Sequence, residues 1–327
     1  MRVAVVDIGT NSTRLLIAEV DPANASVQPL LRRSEVTRLG SGVDASGSLS
    51  DEACARVFRT LADYRDAIDA HDCTANMAVL TSAVRDAANG ARFAKRVREN
   101  YRLDARVLSG EQEAQLTFLG AMSGRPRGDT SGRSRGDRQA PSASDATVVI
   151  DVGGGSTEFI VGRDHTAGFH VSLPAGVVRM SERHIHSDPP IPEELQSLAQ
   201  DVRSAFLEGL PSAERAPVKQ GIAVAGTATS AAAIDQELDP YDPDRVHGYR
   251  LQLATIELLL ARLADMTEDA RRRVVGLHPD RAPTIVAGMI LLGEALRAFG
   301  LEEVEVSEHD ILYGGALLAA GAVGGAD

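Results

Sequence analysis

Two short stretches of the chain bring together an aspartate, glycines and hydroxyl side chains. The first reads DIGTNST, from Asp7 to Thr13; the second reads DVGGGST, from Asp151 to Thr157. A turn of this type offers consecutive backbone N–H groups and short hydroxyls to phosphate oxygens. Glycine lets the backbone approach the anion with no Cβ in the way. The aspartate ending the strand before each turn can hold Mg²⁺ directly or through water. One such turn would be weak evidence. Two of them, each spelling Asp-x-Gly-x-x-Ser-Thr, point to a clamp on a phosphate chain, against the alternative of two ordinary hairpin turns. The residue after each Ser-Thr differs. Arg14 can pair with a phosphate, whereas Glu158 is suited to orienting a metal or a water, or is simply an exposed strand residue.

The elements around the turns repeat as well. Residues 3–17 (VAVVDIGTNSTRLLI) and 147–161 (TVVIDVGGGSTEFIV) share Asp, Gly, Ser and Thr at a constant offset. An apolar strand enters and leaves each turn, which predicts a β-hairpin. The internal repeat predicts two domains of one architecture. In the first half a third strand is expected near 35–39, then a helix capped by Ser50 and reaching about His71. A strand at 77–80, a helix at 88–101, a strand at 105–108 and a helix from Ser109-Gly110 follow. In the second half strands are expected near 148–151, 158–162, 170–173 and 222–225, with helices at 176–186 and 192–209. Several helices fill 228–299, and a strand at 303–306 precedes a final helix at 310–322. Strands followed by alternating helices and strands predict α/β layer domains. The expected boundaries are 1–122, a Gly/Ser/Arg-rich linker or loop at 123–145, and 146–327. The last helix has the option of packing back on the first domain.

Composition sets outer limits. The 327 residues suggest about two domains at roughly 150 residues each. A net charge of −12 argues against broad nucleic-acid binding, though a locally basic cleft in an acidic protein can still take an anionic substrate. Cys54 and Cys73 are too few for a disulfide framework or a cysteine-rich zinc module and read as reduced thiols. The N-terminus shows no signal-peptide pattern, and no apolar run approaches the ~20 residues of a membrane helix. A cytoplasmic protein with no membrane partner is expected. The segment SGRPRGDTSGRSRGDRQAPSAS, Ser123 to Ser144, lacks hydrophobic periodicity and reads as a solvated loop.

Four segments carry a resemblance. DIGTNSTRLLI, TSAVRDAAN (Thr81 to Asn89), SGEQEAQLTFLG (Ser109 to Gly120) and DVGGGSTEFIVG (Asp151 to Gly162) match, in order, the motifs of the exopolyphosphatase / guanosine pentaphosphate phosphohydrolase (Ppx/GppA) family. SLPAGVVRMSER, AGTATS and VHGYRL are similar to its later segments, and HSDPP with SEHDIL resembles short actinobacterial members. The resemblance implies two duplicated actin-like (ribonuclease H-like, sugar-kinase-like) α/β domains with a cleft between them. It implies that Glu113 is the general base, with Glu111 as second choice. Arg85 becomes a phosphate-binding arginine, against the alternative of a structural salt bridge to Asp86 or a nearby glutamate. Asp7 and Asp151, with Glu158, become the positions for Mg²⁺ or Mn²⁺. Thr10, Asn11 and Ser12 match the first phosphate loop; Gly153, Gly154, Gly155, Ser156 and Thr157 match the second. Gln115 stands where the family often has Arg.

The implied activity is Mg²⁺-dependent release of the terminal phosphate of inorganic polyphosphate. A preference for short chains is expected because this chain lacks the extra C-terminal helical region of long family members. The alternatives are 5′-phosphate removal from guanosine pentaphosphate (pppGpp), a phosphate- or nucleotide-binding sensor without turnover, and a sugar kinase. A homodimer is common in the family. Other residues rank lower. Gly226-Thr227 occupies the place of a nucleotide-contacting turn in sugar kinases, but packing is the preferred reading. His184 and His186 are two apart on a helix and do not share a face. Arg179 and Arg183 can line the cleft or face solvent. Arg271-Arg272-Arg273 reads as a solvated face, and His309 as a residue bridging the last helix.

Overall fold

The computed structural model describes residues 1–124, 146–163 and 165–321. The chain divides into two compact units. Unit 1 combines Met1–Arg125 with His309–Asp327, and unit 2 is Pro126–Glu308. Apart from Ser123 and Gly124, the segment expected as a linker at 123–145 lies outside the described residues.

Unit 1 begins with β1 (Arg2–Ile8), β2 (Ser12–Asp21), β3 (Ser26–Val36), α1 (Val43–Ser46) and α2 (Asp51–Ala70). It continues with β4 (Ala75–Leu80), α3 (Ser82–Asp86), α4 (Gly90–Tyr101), β5 (Asp104–Val107) and α5 (Gly110–Ala121). The sheet order is β3-β2-β1-β4-β5. β1 is antiparallel to β2 and parallel to β4. Its residues alternate between two cores, as a strand buried on both faces must. Ala4, Val6 and Ile8 join the core beneath α2 and α4, while Val3 and Val5 join the opposite core.

Unit 2 runs β6 (Ala146–Val152), β7 (Thr157–Arg163), β8 (Thr166–Leu173), α6 (Val177–His184), α7 (Pro192–Gly209) and α8 (Ser212–Arg215). Next come β9 (Val218–Val224), α9 (Ala225–Asp235), α10 (Pro243–Val246), β10 (Arg250–Gln252) and α11 (Leu253–Ala264). It closes with α12 (Glu268–Arg271), α13 (Ile285–Phe299) and β11 (Glu303–Val306). Its sheet order is β10-β11-β9-β6-β7-β8. Taken from β8, the first five strands repeat the order of unit 1, with β6 to β8 in the places of β1 to β3. β10 is an added antiparallel edge. Both units therefore share one duplicated α/β plan. The apolar run Ile285–Leu292 is the buried first half of α13, and among the described residues no helix is long and apolar enough to cross a membrane.

After β11 the chain returns to unit 1 as α14 (Ile311–Ala319). Leu312, Tyr313, Ala316 and Leu317 cover the Val3 and Val5 face of β1. Glycines permit this close fit. A Cβ on Gly314 would lie 2.0 Å from the Leu116 carbonyl oxygen, and one on Gly120 would lie 1.8 Å from that of Asp310. The helices α5 and α14 thus cross backbone against backbone.

Three expectations need correction. The third strand is Ser26–Val36, not 35–39. It is an edge strand, mostly exposed, with Pro29 and a register shift opposite Ile17/Ala18, so it lacks the apolar alternation that marks an inner strand. Arg85, in the gap between the strand expected at 77–80 and the helix expected at 88–101, lies on the short helix α3. Arg271, expected on a solvated face, is buried, donates to the Leu263 carbonyl and lies 3.5 Å from Asp188.

Candidate active site

In unit 1 the segments singled out in the sequence leave three neighbouring parallel strands at the same sheet edge. Ile8 of β1 registers with Leu80 of β4, and Leu80 with Val107 of β5. The turn after Ile8, helix α3 after Leu80 and helix α5 after Val107 therefore begin side by side. The carboxyl ends of adjacent parallel strands are where open α/β sheets bind ligands.

The first turn is closed by the Gly9 N–H donating to the Ser12 carbonyl at 3.0 Å. The other carbonyls of the turn are drawn into the protein. That of Thr10 accepts from Gly40 at 2.9 Å, and that of Asn11 from Arg38 at 2.8 Å. The N–H groups of Thr10 and Asn11 have no partner among the described residues. Carbonyls turned inward and N–H groups left outward make a positive concavity suited to an oxyanion. The Thr10 hydroxyl shares a hydrogen bond of 3.0 Å with Ser82 Oγ, which ties the turn to the start of α3.

Asp7 and Arg14 face each other across the β1–β2 pair. Arg14 Nε and Nη2 both donate to Asp7 Oδ2, at 2.9 and 2.6 Å, and Nη1 donates to Asp310 Oδ2. Arg14, expected against a phosphate, thus gives these N–H groups to two carboxylates. Asp7 is 4% exposed, and its Oδ1 is buried without a hydrogen-bond partner. Burial pushes its carboxyl above the ordinary carboxylate range; Arg14 pulls it down, and Asp310 adds to the upward push.

Glu113 occupies the first turn of α5, where the helix dipole favours a carboxylate. Ser109 and Gln112 close a capping box there. Arg85 Nη1 donates to Glu113 Oε2 at 2.9 Å and to the Leu108 carbonyl at 3.0 Å, and Arg85 Nε lies 3.5 Å from Asp86 Oδ1. Glu111 is exposed on another side of the helix, and Gln115 is half-buried.

Unit 2 builds a matching turn. The Gly153 N–H donates to the Ser156 carbonyl at 2.9 Å. The Gly153 and Gly154 carbonyls accept from the Val177 and Val178 N–H groups at the start of α6, both at 2.9 Å. The Gly155 carbonyl accepts from Arg179 Nε at 3.0 Å. The N–H groups of Gly154, Gly155 and Ser156 again have no partner among the described residues. Asp151 registers with Glu158 across β6–β7. Glu158 Oε1 accepts from Ser156 Oγ and from Ser172 Oγ, the latter at 2.7 Å. Thr157 does not present its hydroxyl: the side chain is fully buried and donates to the Ala175 carbonyl at 2.6 Å.

A divalent cation fits these donors. At Asp7, two buried carboxylates meet the single guanidinium of Arg14, and Oδ1 is an orphaned acceptor. In unit 2, Asp151 and Glu158 are like charges on directly opposite residues, a pairing that a cation relieves. Among the described residues no three His, Cys, Asp or Glu side chains form a cage. Mg²⁺ characteristically takes only one or two carboxylates and completes its shell with substrate phosphates and water.

The remaining candidates are structural. His184 binds Ser197 Oγ and Asp201 Oδ2, at 3.1 and 3.0 Å. The His309 ring stacks on Tyr313 at 3.8 Å, and its Nδ1 is 3.0 Å from Ser123 Oγ. Thr227 is buried in α9, and a Cβ on Gly226 would collide with the Arg281 guanidinium. Ser82, Ser172 and Asp310 were not singled out by sequence. Asp310 reads locally as a helix cap, and its partner Arg14 lies 296 residues away.

Two units of one sheet order, each with an aspartate one residue before the end of its first strand and a turn lined with N–H groups, define a duplicated α/β protein that handles phosphate. The chain belongs to the Ppx/GppA phosphatase family, whose model matches residues 16–132 and 136–316; by class it is a phosphoanhydride hydrolase. Exopolyphosphatase 2 of Mycobacterium tuberculosis is 35% identical to it, with 98% of this chain and 99% of the relative aligned. The crystal structure of the Aquifex aeolicus Ppx/GppA family member matches with a TM-score of 0.81 at 28% identity, over 98% of this chain and 97% of that one. An exopolyphosphatase from Cytophaga hutchinsonii gives 0.80 at 26% identity over 98% of each.

Proposed function

We propose that the protein is an exopolyphosphatase, which hydrolyses the terminal phosphoanhydride of inorganic polyphosphate and releases orthophosphate. The observation that carries this reading is common to both turns. The carbonyls of 10–11 and 153–155 are hydrogen-bonded into the protein, while the N–H groups of Thr10, Asn11, Gly154, Gly155 and Ser156 have no partner among the described residues. Donors fixed in this way are held ready for the charge of a phosphoryl group and cost little reorganisation during reaction.

Glu113 serves as the base. It orients a water molecule and accepts its proton late, as the water oxygen bonds to the terminal phosphorus and the bridging P–O bond breaks. The products are orthophosphate and a chain one unit shorter. Arg85 fixes the Glu113 carboxylate and supplies positive charge near the developing anion. Arg14 orients Asp7. Asp7 in unit 1, and Asp151 with Glu158 in unit 2, are the residues that would hold Mg²⁺ or Mn²⁺, and a bound ion would neutralise phosphate oxygens.

The test is phosphate release with Mg²⁺ from short polyphosphate, long polyphosphate, pppGpp and ATP at equal phosphoanhydride concentration. Short polyphosphate is expected to be the best substrate. A preference for pppGpp moves the activity to alarmone hydrolysis by the same residues. Tight binding with no release from any of the four overturns the hydrolytic reading in favour of a sensor.

A further inference from the structure

We propose that Asp310 is a positioning residue for this site: it holds the Arg14 guanidinium on Asp7 Oδ2, so that the buried Oδ1 keeps its acceptor capacity for a divalent cation. The inference rests on reading the unit 1 site as a metal-assisted phosphohydrolase, and it assigns a task to a residue outside the phosphate loops.

Asp310 is 3% exposed and uses both carboxylate oxygens. Oδ1 accepts from the Leu312 N–H at 3.0 Å, which caps α14, and Oδ2 accepts from Arg14 Nη1. A cap needs one oxygen, so the second contact is not required by the helix. Arg14 in turn places Nε and Nη2 on the same oxygen of Asp7, Oδ2. A guanidinium free to rotate would fork across both oxygens of a carboxylate, the usual bidentate geometry. Held by Asp310 at Nη1, Arg14 occupies Oδ2 alone and leaves Oδ1 as the buried orphan.

The placement of Asp310 is firm because its backbone is wedged against Gly120 of α5, the helix that carries Glu113. Gly315 of α14 packs on Val5 of β1, the strand that carries Asp7; a Cβ there would lie 2.9 Å from Val5 Cγ1. Asp310 therefore sits on a helix referenced to both the base and the metal-side aspartate.

The decisive variant is Asp310→Asn. Asparagine caps a helix about as well as aspartate, so the fold is retained, but its charge is gone and an amide N–H₂ facing Arg14 would repel. Mn²⁺ binding is followed by electron paramagnetic resonance, and phosphate release is followed against Mg²⁺ concentration. Loss of a group that orients a metal ligand weakens metal affinity by roughly 10–100-fold. That loss is expected in the Mn²⁺ titration, with a matching rise in the Mg²⁺ needed for half-maximal rate and KM for polyphosphate at saturating Mg²⁺ changed by less than about twofold. Arg14→Ala should show the same loss, and the double variant no more than either single one. Wild-type Mn²⁺ affinity in Asp310→Asn overturns the proposal, whether or not its melting temperature falls. If the wild-type protein releases no phosphate from any substrate yet binds Mn²⁺ more tightly than Asp310→Asn, the functional reading fails and the role of Asp310 stands. If the wild-type protein binds no Mn²⁺, both fail.

Discussion

Arg85 donates one guanidinium N–H to the Glu113 carboxylate at 2.9 Å while the same nitrogen grips the Leu108 carbonyl at 3.0 Å. The proposed base is thus anchored to the end of β5 through an arginine that is itself half-exposed. Glu113→Gln should keep substrate binding and lower kcat by roughly 10²–10⁴, the usual worth of a general base. A wild-type rate in that variant removes Glu113 from the mechanism.

The same pair predicts non-additivity. If Arg85 acts through Glu113, Arg85→Ala lowers kcat in the wild-type background but adds little to Glu113→Gln, while KM rises in both. Residues in direct contact typically show coupling of about 0.5–3 kcal/mol in such a cycle. Strictly additive losses in kcat would mean that Arg85 serves the substrate alone.

Gly176 lies under the second turn. A Cβ there would come within 2.4 Å of the Ser156 nitrogen and 2.5 Å of the Gly154 carbonyl. Backbone on both sides leaves no flexible end to move. Gly176→Ala should therefore push Gly154–Ser156 out of their present geometry, at a cost of about 1–3 kcal/mol for overpacking. Denaturant melts read the stability, and phosphate-release kinetics should show a raised KM. Unchanged KM with lowered stability would mean that the turn does not hold the substrate.

Local chemistry was readable from the sequence where it stayed local. Ser50 and Ser109 announced the helices they cap, and both helices begin where expected. The repeated Asp-x-Gly-x-x-Ser-Thr revealed two hairpins because glycine and hydroxyl residues act within four positions of each other. Long-range charge pairing was not readable. Nothing near Asp310 distinguishes a helix cap from a carboxylate that also binds Arg14. Thr157 shows the opposite failure. Its motif suggested a phosphate contact, but strand alternation turns it inward, where its hydroxyl meets the Ala175 carbonyl. Arg271 follows a related rule: its neighbour Arg272 is exposed and paired with Glu268, and a charge run carries no sign that one member turns inward.

A pH-dependent brace supports unit 2. Asp201 accepts from His184 Nε2 and Arg183 Nη1, each at 3.0 Å, and so ties α6 to α7. The hydrogen bond from His184, helped by Arg183, holds its carboxyl below the ordinary value, with burial opposing. A carboxyl whose folded value is depressed adds stability above its unfolded value, about pH 4, and loses it as pH falls through the folded value. Wild-type protein should exceed Asp201→Asn in stability at neutral pH, and the gap should close below about pH 4. Denaturant melts across that range test this; a gap constant into acid would show that the Asp201 charge contributes nothing.

Gly120→Ala should part α5 from α14, because its Cβ would meet the Asp310 carbonyl oxygen at 1.8 Å. The expected cost is about 1–3 kcal/mol, with faster hydrogen exchange in α14 as the signature. Exchange in α14 at the wild-type rate would show that the crossing relaxes elsewhere.

Unit 1 is closed by a helix that the ribosome delivers after all of unit 2. Asp7, Arg14 and Glu113 are synthesised early and wait through roughly 200 to 300 further residues, some tens of seconds at ordinary translation rates. Only then does Asp310 arrive to meet Arg14 and cover Val3 and Val5. A nascent or prematurely terminated chain carries the phosphate turns but not this closing contact.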